Sequence, residues 1–176
     1  SNFFYMQFYN SNINLIILKL FLVYGPGQKF NRLIPFIIRS IIKQKKIKTT
    51  EGLQSRDFCH VDDVTNAIIK CINLNKKLLN PLIMDIGSGK PIKIKTVINK
   101  IFKEFKLNKS SLILKQYRKL ERNNLIADNS KSKKYLNWKP EIKFLDGLKQ
   151  TINYYVNKIW RNTYLESPML VGIIQV

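Results

Sequence analysis

The sequence predicts an α/β fold, and three features carry that reading. Short apolar runs rich in β-branched residues alternate with stretches of helical period, and glycine-bearing turns mark several of the changes. The chain has 176 residues, 45% of them hydrophobic, with 10 Phe, 8 Tyr and 2 Trp. That is enough for one domain with a buried core, and it excludes a disordered basic tail.

Asn14–Leu22 is a continuous apolar run closed by Tyr24-Gly25-Pro26-Gly27, the pattern of a buried parallel strand ending in a sharp turn. From Asn31 the pattern becomes helical, with Leu33, Ile34, Ile37, Ile38, Ile41 and Ile42 on one face and Pro35 in the first turns. Gln44–Lys48 reads as a basic connector, Gly52 as a turn and Arg56–His60 as a short strand. Asp62–Leu74 is the next helix, since Val64, Ala67, Ile68, Cys71 and Ile72 keep i, i+3, i+4 spacing. Leu82–Ile86 is a second buried strand, ended by Gly87-Ser88-Gly89. Ile94–Phe105 is an amphipathic helix with Val97, Ile98, Ile101, Phe102 and Phe105 inward. Leu112–Leu114 suggests a short strand, and Ser130–Leu136 a short helix stopped by Asn137-Trp138-Lys139-Pro140. Phe144–Ile159 closes the fold, with Leu145, Leu148, Ile152, Tyr155 and Ile159 on its apolar side. The first strand has no sheet of its own nearby in sequence, so it reads as one of the last strands of a larger sheet.

The formal net charge of +20 comes from 31 Lys+Arg against 11 Asp+Glu. Nearly all the excess is lysine, spread without one dense block through a chain also rich in Ile and Asn. Compositional bias explains this better than a nucleic-acid or membrane partner, and neither partner is expected. Cys59 and Cys71 form no CxxC or His/Cys array, so reduced thiols are expected rather than a metal site or a disulfide. Residues 1–10 lack a basic n-region, and Leu15–Val23 and Leu170–Val176 fall short of the roughly 20 apolar residues of a membrane span. A cytoplasmic chain is expected.

The stretch SRDFCHVDDV (55–64) gathers an arginine, three aspartates, a cysteine and the only histidine. Asp62-Asp63 suits either acid–base work or a helix start, and their place at a helix start favours capping. His60 reads as structural. Gly87-Ser88-Gly89-Lys90 resembles the end of a P-loop, but residue 84 is Met and Pro91 follows the lysine, so a tight turn is the better reading. No GxGxxG fingerprint follows the first strand, no catalytic Tyr-x-x-x-Lys pair is expected, and no catalytic, cofactor-binding or metal-binding residue is assigned. Arginines are scarce beside lysines here. Arg56 and Arg118 lie in turn-like or strand-end settings, where a planar guanidinium forms a salt bridge or grips an anion bidentately.

Taken in order, VYGPGQ (23–28), NRLIP (31–35), EGLQSRDFCHVDDV (51–64), DIGSGK (85–90), YRKLE (117–121) and ADNSKSKKYLNWKP (127–140) carry a resemblance. They resemble the C-terminal, substrate-binding half of an extended short-chain dehydrogenase/reductase of the NAD-dependent nucleotide-sugar epimerase/dehydratase family. GLKQTINYY (147–155) is similar to that family's last helix. The resemblance implies the C-terminal part of a Rossmann-type α/β fold, with the last sheet strand or strands plus the small mixed α/β substrate domain. Residues 1–160 would form this portion, and 161–176 an unassigned tail. It further implies NAD or NADP in the full-length family, a chain beginning just after the catalytic Tyr-x-x-x-Lys, and neither cofactor binding nor turnover by this chain alone.

The implied ligand is a nucleotide-diphosphate sugar. Arg56 and Arg118 would contact the diphosphate and Glu121 the ribose, while Asn31, Arg32, Leu33 and Thr49 would border the nucleotide. Lys19 and Leu22 stand where the family usually has Arg and Asn. Leu22 either removes a polar group that helps hold substrate or marks a subclass such as a deoxysugar-forming reductase. A homodimer or a complementing N-terminal half is the expected protein partner. The alternatives are a non-enzymatic remnant or half of a split protein and, more remotely, a basic nucleic-acid-binding module.

Overall fold

The computed structural model of the chain describes residues 15–75, 78, 81–107, 112–115 and 124–166. The elements in order are β1 (Ile16–Leu20), β2 (Leu22–Tyr24), α1 (Leu33–Ile42), β3 (Ile47–Thr50), β4 (Ser55–His60), α2 (Val61–Ile72), β5 (Leu82–Ile86), β6 (Pro91–Lys93), α3 (Ile94–Glu104), β7 (Leu112–Lys115), β8 (Asn124–Leu125), α4 (Ser130–Leu136) and α5 (Phe144–Glu166).

The first apolar run is two strands because it serves two partners. β1 pairs parallel with β5, Ile16 opposite Leu82 through Leu20 opposite Ile86. β2 pairs parallel with β4, Leu22 opposite Phe58 and Tyr24 opposite His60. Phe21 is the joint, its N–H donating to the Ile86 carbonyl at 3.0 Å. Ile16 and Leu18 pack on the same apolar cluster as Val23. The inward side therefore changes parity across Phe21, as it does where a strand carries an extra residue.

β4 organises the rest. Ser55–Asp57 run antiparallel to β6, with Arg56 opposite Ile92 and Asp57 opposite Pro91. Ser55 and Arg56 also pair parallel with Asn124 and Leu125 of β8. Because β6 and β8 pair with the same two residues, they hold Arg56 from opposite edges. Alternation along β4 then separates two cores. Phe58 joins Tyr24 and the inner faces of α1, α3 and α5, whereas Cys59 joins Met84, Ile86, Leu136 and Trp138 under α2 and α4. Elsewhere β3 and β7 form a parallel pair, Ile47 opposite Leu112.

The basic connector expected over Gln44–Lys48 ends inside β3. The chain turns at Gln44, whose φ is 50°, and Ile47 is already in the core at 1% exposure. β6 and β8, of three and two residues, were not expected either, being too short for any periodicity. α5 continues past Ile159 to Glu166.

α5 approaches β2 and β4 closely at Gly147. A Cβ there would lie 2.5 Å from the Tyr24 hydroxyl and 2.6 Å from His60 Cδ2. The Tyr24 hydroxyl donates to the Phe144 carbonyl at 3.2 Å, and its ring meets Phe58, His60 and Phe144 at centroid distances of 6.0, 5.3 and 5.2 Å. Ala in place of Gly in an open helix interior stabilises by roughly 1 kcal/mol. Here overpacking reverses the sign: Gly147→Ala should lower stability by about 1–3 kcal/mol in urea unfolding. A stabilised variant would show that this contact has room to spare.

Candidate functional site

Arg56 is half-buried on β4, and its Nη1 donates to the Ser55 carbonyl at 2.9 Å. Strand alternation puts Arg56 on the side of Phe58 and His60. Leu22 is opposite Phe58 and thus on that same side, with 37% of it exposed. An apolar residue therefore shares the face of the arginine, two residues further along the strand.

Asp57 points the other way and is 1% exposed. One oxygen accepts from the Ser88 N–H at 2.6 Å and the Ser88 hydroxyl at 2.5 Å. The other accepts from the N–H groups of Gly89 at 2.8 Å and Ala127 at 3.0 Å. A carboxylate removed from water needs such donors. The turn expected at Gly87-Ser88-Gly89 is present, but its amides cradle the protein's own anion. Gly25, in the other glycine turn, has its Cβ direction filled by Val61, 2.5 Å away. Asp57 was missed in the sequence, where the one available signal was an acid beside Phe58 and Cys59 inside a short strand.

The helix start differs from expectation. α2 is capped by the imidazole of His60, whose Nδ1 accepts from the Asp62 N–H at 3.3 Å. Asp62 lies in the first turn with its side chain 68% exposed, one oxygen 3.5 Å from that Nδ1. Asp63 is buried and accepts from the N–H groups of Glu141 at 3.0 Å and Ile142 at 3.2 Å. Its carbonyl accepts from Trp138 Nε1 at 3.0 Å. The adjacent aspartates thus do separate structural jobs and form no acid–base pair. Burial, followed by the Asp63 and Asp57 charges, pushes the Cys59 thiol up to about 12, so it is no nucleophile at neutral pH.

Asn31 and Arg32 are exposed at the head of α1, where Arg32 is the N-cap residue without a side-chain cap bond. Leu33 packs against the first core, and Thr49 sits half-buried in β3 opposite Leu114. Arg118 and Glu121 lie outside the described residues. The structure thus puts Leu22 on the Arg56 side of the sheet but opposite Phe58, places Asn31–Leu33 where α1 begins, and leaves Thr49 in the separate β3–β7 pair.

The Tyr-x-x-x-Lys spacing, expected to be absent, in fact occurs twice, at Tyr135–Lys139 and Tyr154–Lys158. Tyr135 packs on the second core, across the strands from Arg56. Lys139 lies beyond the left-handed Asn137, φ 46°, which ends α4. Tyr154 and Lys158 share the outer side of α5, with Lys158 Nζ 5.6 Å from the ring centroid, a surface cation–π contact. Among the described residues no helix is long and apolar enough to cross a membrane.

Residues 5–87 match the model of the NAD dependent epimerase/dehydratase family. A UDP-glucuronate 4-epimerase of Thermodesulfobacterium geofontis is 34% identical over 144 residues, which are 81% of this chain and 43% of that protein. A CDP-abequose synthase of Salmonella typhimurium is 29% identical over 146 residues, 80% of this chain and 48% of that one. A UDP-glucose 4-epimerase of Thermotoga maritima, solved with UDP-glucose, has the same fold, with a TM-score of 0.78 at 22% identity over 89% of this chain and 51% of that chain. The chain spans about half the length of the relatives it matches.

His60 makes the helix cap sensitive to pH. Burial lowers its pKa from 6.5, outweighing the opposite pull of Asp62 and then Asp63. The folded state thus binds the proton less readily than the unfolded chain. Its contribution to stability is complete above pH 6.5 and is lost as the pH falls below that value. The urea midpoint should drop between pH 7.5 and 5.5, and His60→Asn, which keeps a capping side chain, should show a smaller drop. Equal slopes in the two proteins would assign the effect to other groups.

Proposed function

We propose that the chain, whose residues 5–87 match the NAD dependent epimerase/dehydratase family, is the sugar-nucleotide-binding half of such an enzyme, with Arg56 on the diphosphate. The observation that carries this reading is the setting of Arg56: half-buried and clasped from both edges of its strand by β6 and β8. A diphosphate calls for charge-assisted, multidentate donors of this kind. On the family pattern Arg118 joins it there, Glu121 accepts from the ribose diol, and Asn31, Arg32, Leu33 and Thr49 border the nucleotide. Leu22, exposed on the Arg56 side, supports a sugar with less need of a polar contact at that point.

Residues 1–160 are the unit proposed to bind the ligand. NAD or NADP and the catalytic pair come from a complementing N-terminal half, in the same protein or in a partner. In the glycine turn after β5 the Ser88 and Gly89 amides are already engaged by Asp57, which supports this division. Alone, the chain is proposed to bind the sugar nucleotide without turning it over.

Titration calorimetry against UDP-, CDP-, GDP- and dTDP-sugars tests the reading. One series should bind, and Arg56→Ala should weaken it by about 1.5–3 kcal/mol, the range for hydrogen bonds to charged groups. A folded sample that binds none of them would sink the proposal. A DNA or RNA gel shift that persists at physiological salt would favour the basic-module reading instead.

A further inference from the structure

Asp57 has no ligand-facing role in the reading above, yet it adjoins the residue that does. Its four donors belong to the segments that flank Arg56: Ser88 and Gly89 lead into β6, and Ala127 follows β8. By itself the clasp is slight, since β6 has three residues and β8 two. Moreover the β6 residue facing Asp57 is Pro91, which has no N–H to give to the ladder. Side-chain bonds to a buried carboxylate take the place of that missing rung.

We propose that Asp57 is a positioning residue for the Arg56 anion subsite, its carboxylate holding β6 and β8 against β4 and so fixing where the guanidinium points. The proposal rests on the reading of Arg56 as the diphosphate contact. The physical link is short. Arg56 Nη1 already follows the local backbone, donating to the Ser55 carbonyl at 2.9 Å. Both flanking strands meet β4 at Arg56 itself, opposite Ile92 and Leu125. Without the carboxylate, the Ser88, Gly89 and Ala127 amides lose a common acceptor, and the two stubs separate from β4. The arginine fork then samples directions in which one nitrogen, rather than two, meets the anion. Because Ala127 shares the carboxylate, an anion bound at Arg56 also orders the segment that follows β8.

Asp57→Asn keeps the shape but turns one acceptor into a donor facing backbone N–H groups. Ser88→Ala is the milder variant, removing the hydroxyl bond and leaving the amide donors in place. The first readout is the Arg56 Nε–Hε NMR resonance of the ligand-free protein. It should shift towards the random-coil position in Asp57→Asn and by a smaller step in Ser88→Ala. The second is titration with UDP and with uridine. Asp57→Asn should weaken UDP about tenfold and leave uridine unchanged, and it should add little to the loss already caused by Arg56→Lys. An unmoved Arg56 resonance, equal losses for UDP and uridine, or full additivity with Arg56→Lys would overturn the proposal. If the wild-type chain binds no nucleoside diphosphate, the ligand reading fails, while the resonance still decides whether Asp57 orients Arg56. Should Asp57→Asn not fold, Ser88→Ala carries both measurements.

Discussion

A carboxylate shut away from water has to be surrounded by donors, and Asp57 draws its donors from segments 31 and 70 residues further along the chain. That demand fixes the relative placement of three parts that local preference would leave independent: β4, the glycine turn after β5, and the stretch beyond β8. Asp63 imposes a second demand of the same kind, recruiting amides 78 and 79 residues away in the approach to α5. The two acids stand on neighbouring elements, β4 and α2, so between them they tie down most of what surrounds the central strand. Replacing either by a neutral residue would strand backbone donors in the interior, which costs more than the bonds themselves contribute.

Alternation along β4 then divides labour within one short strand. Arg56 and Phe58 face the side covered by α1, α3 and α5, and the strand's polar opening on that side is the arginine. Asp57 and Cys59 face the other way, where the chemistry is purely structural: a satisfied anion and a thiol held protonated by burial. The side proposed to meet the ligand is thereby backed by one whose buried carboxylate is fully engaged by protein donors. The His60–Tyr24–Phe144 packing closes the same strand at its far end, with Gly147 allowing the final helix to come within contact distance.

Much of this architecture is visible in the sequence, and what is hidden is hidden for a physical reason. α1, α2, α3 and α5 announce themselves because amphipathic helices are specified locally, through i, i+3 and i+4 spacing. β5 is legible as an apolar run and β4 as a short strand after the Gly52 turn, and the ordered motifs point to the family whose model matches residues 5–87. β3, β6 and β8 are not legible: all are short, β3 and β6 carry lysine or proline, and they are strands only because an edge elsewhere accepts them. Arg56 stands out by its rarity in a lysine-rich chain, whereas Asp57 looks like an ordinary acid until its distant donors are known. The helix cap shows the same limit. Two aspartates at a helix start satisfy every local preference for capping, yet the preceding histidine takes the role and one aspartate is drawn off by a remote loop.

The division of the first apolar run at Phe21 also bears on how the chain is made. β1 leaves the ribosome before its partner β5, which follows only after about 66 residues. At synthesis rates of about 5–20 residues per second, that is roughly 3–13 s during which Ile16–Leu20 has no β5 to pair with. β2 waits less, since β4 emerges sooner, so the two halves of one apolar run are claimed at different times. An apolar strand left unpaired for that time stays open to wrong edge pairing until β5 arrives. The joint at Phe21 lets the β2 half dock while the β1 half remains to be placed.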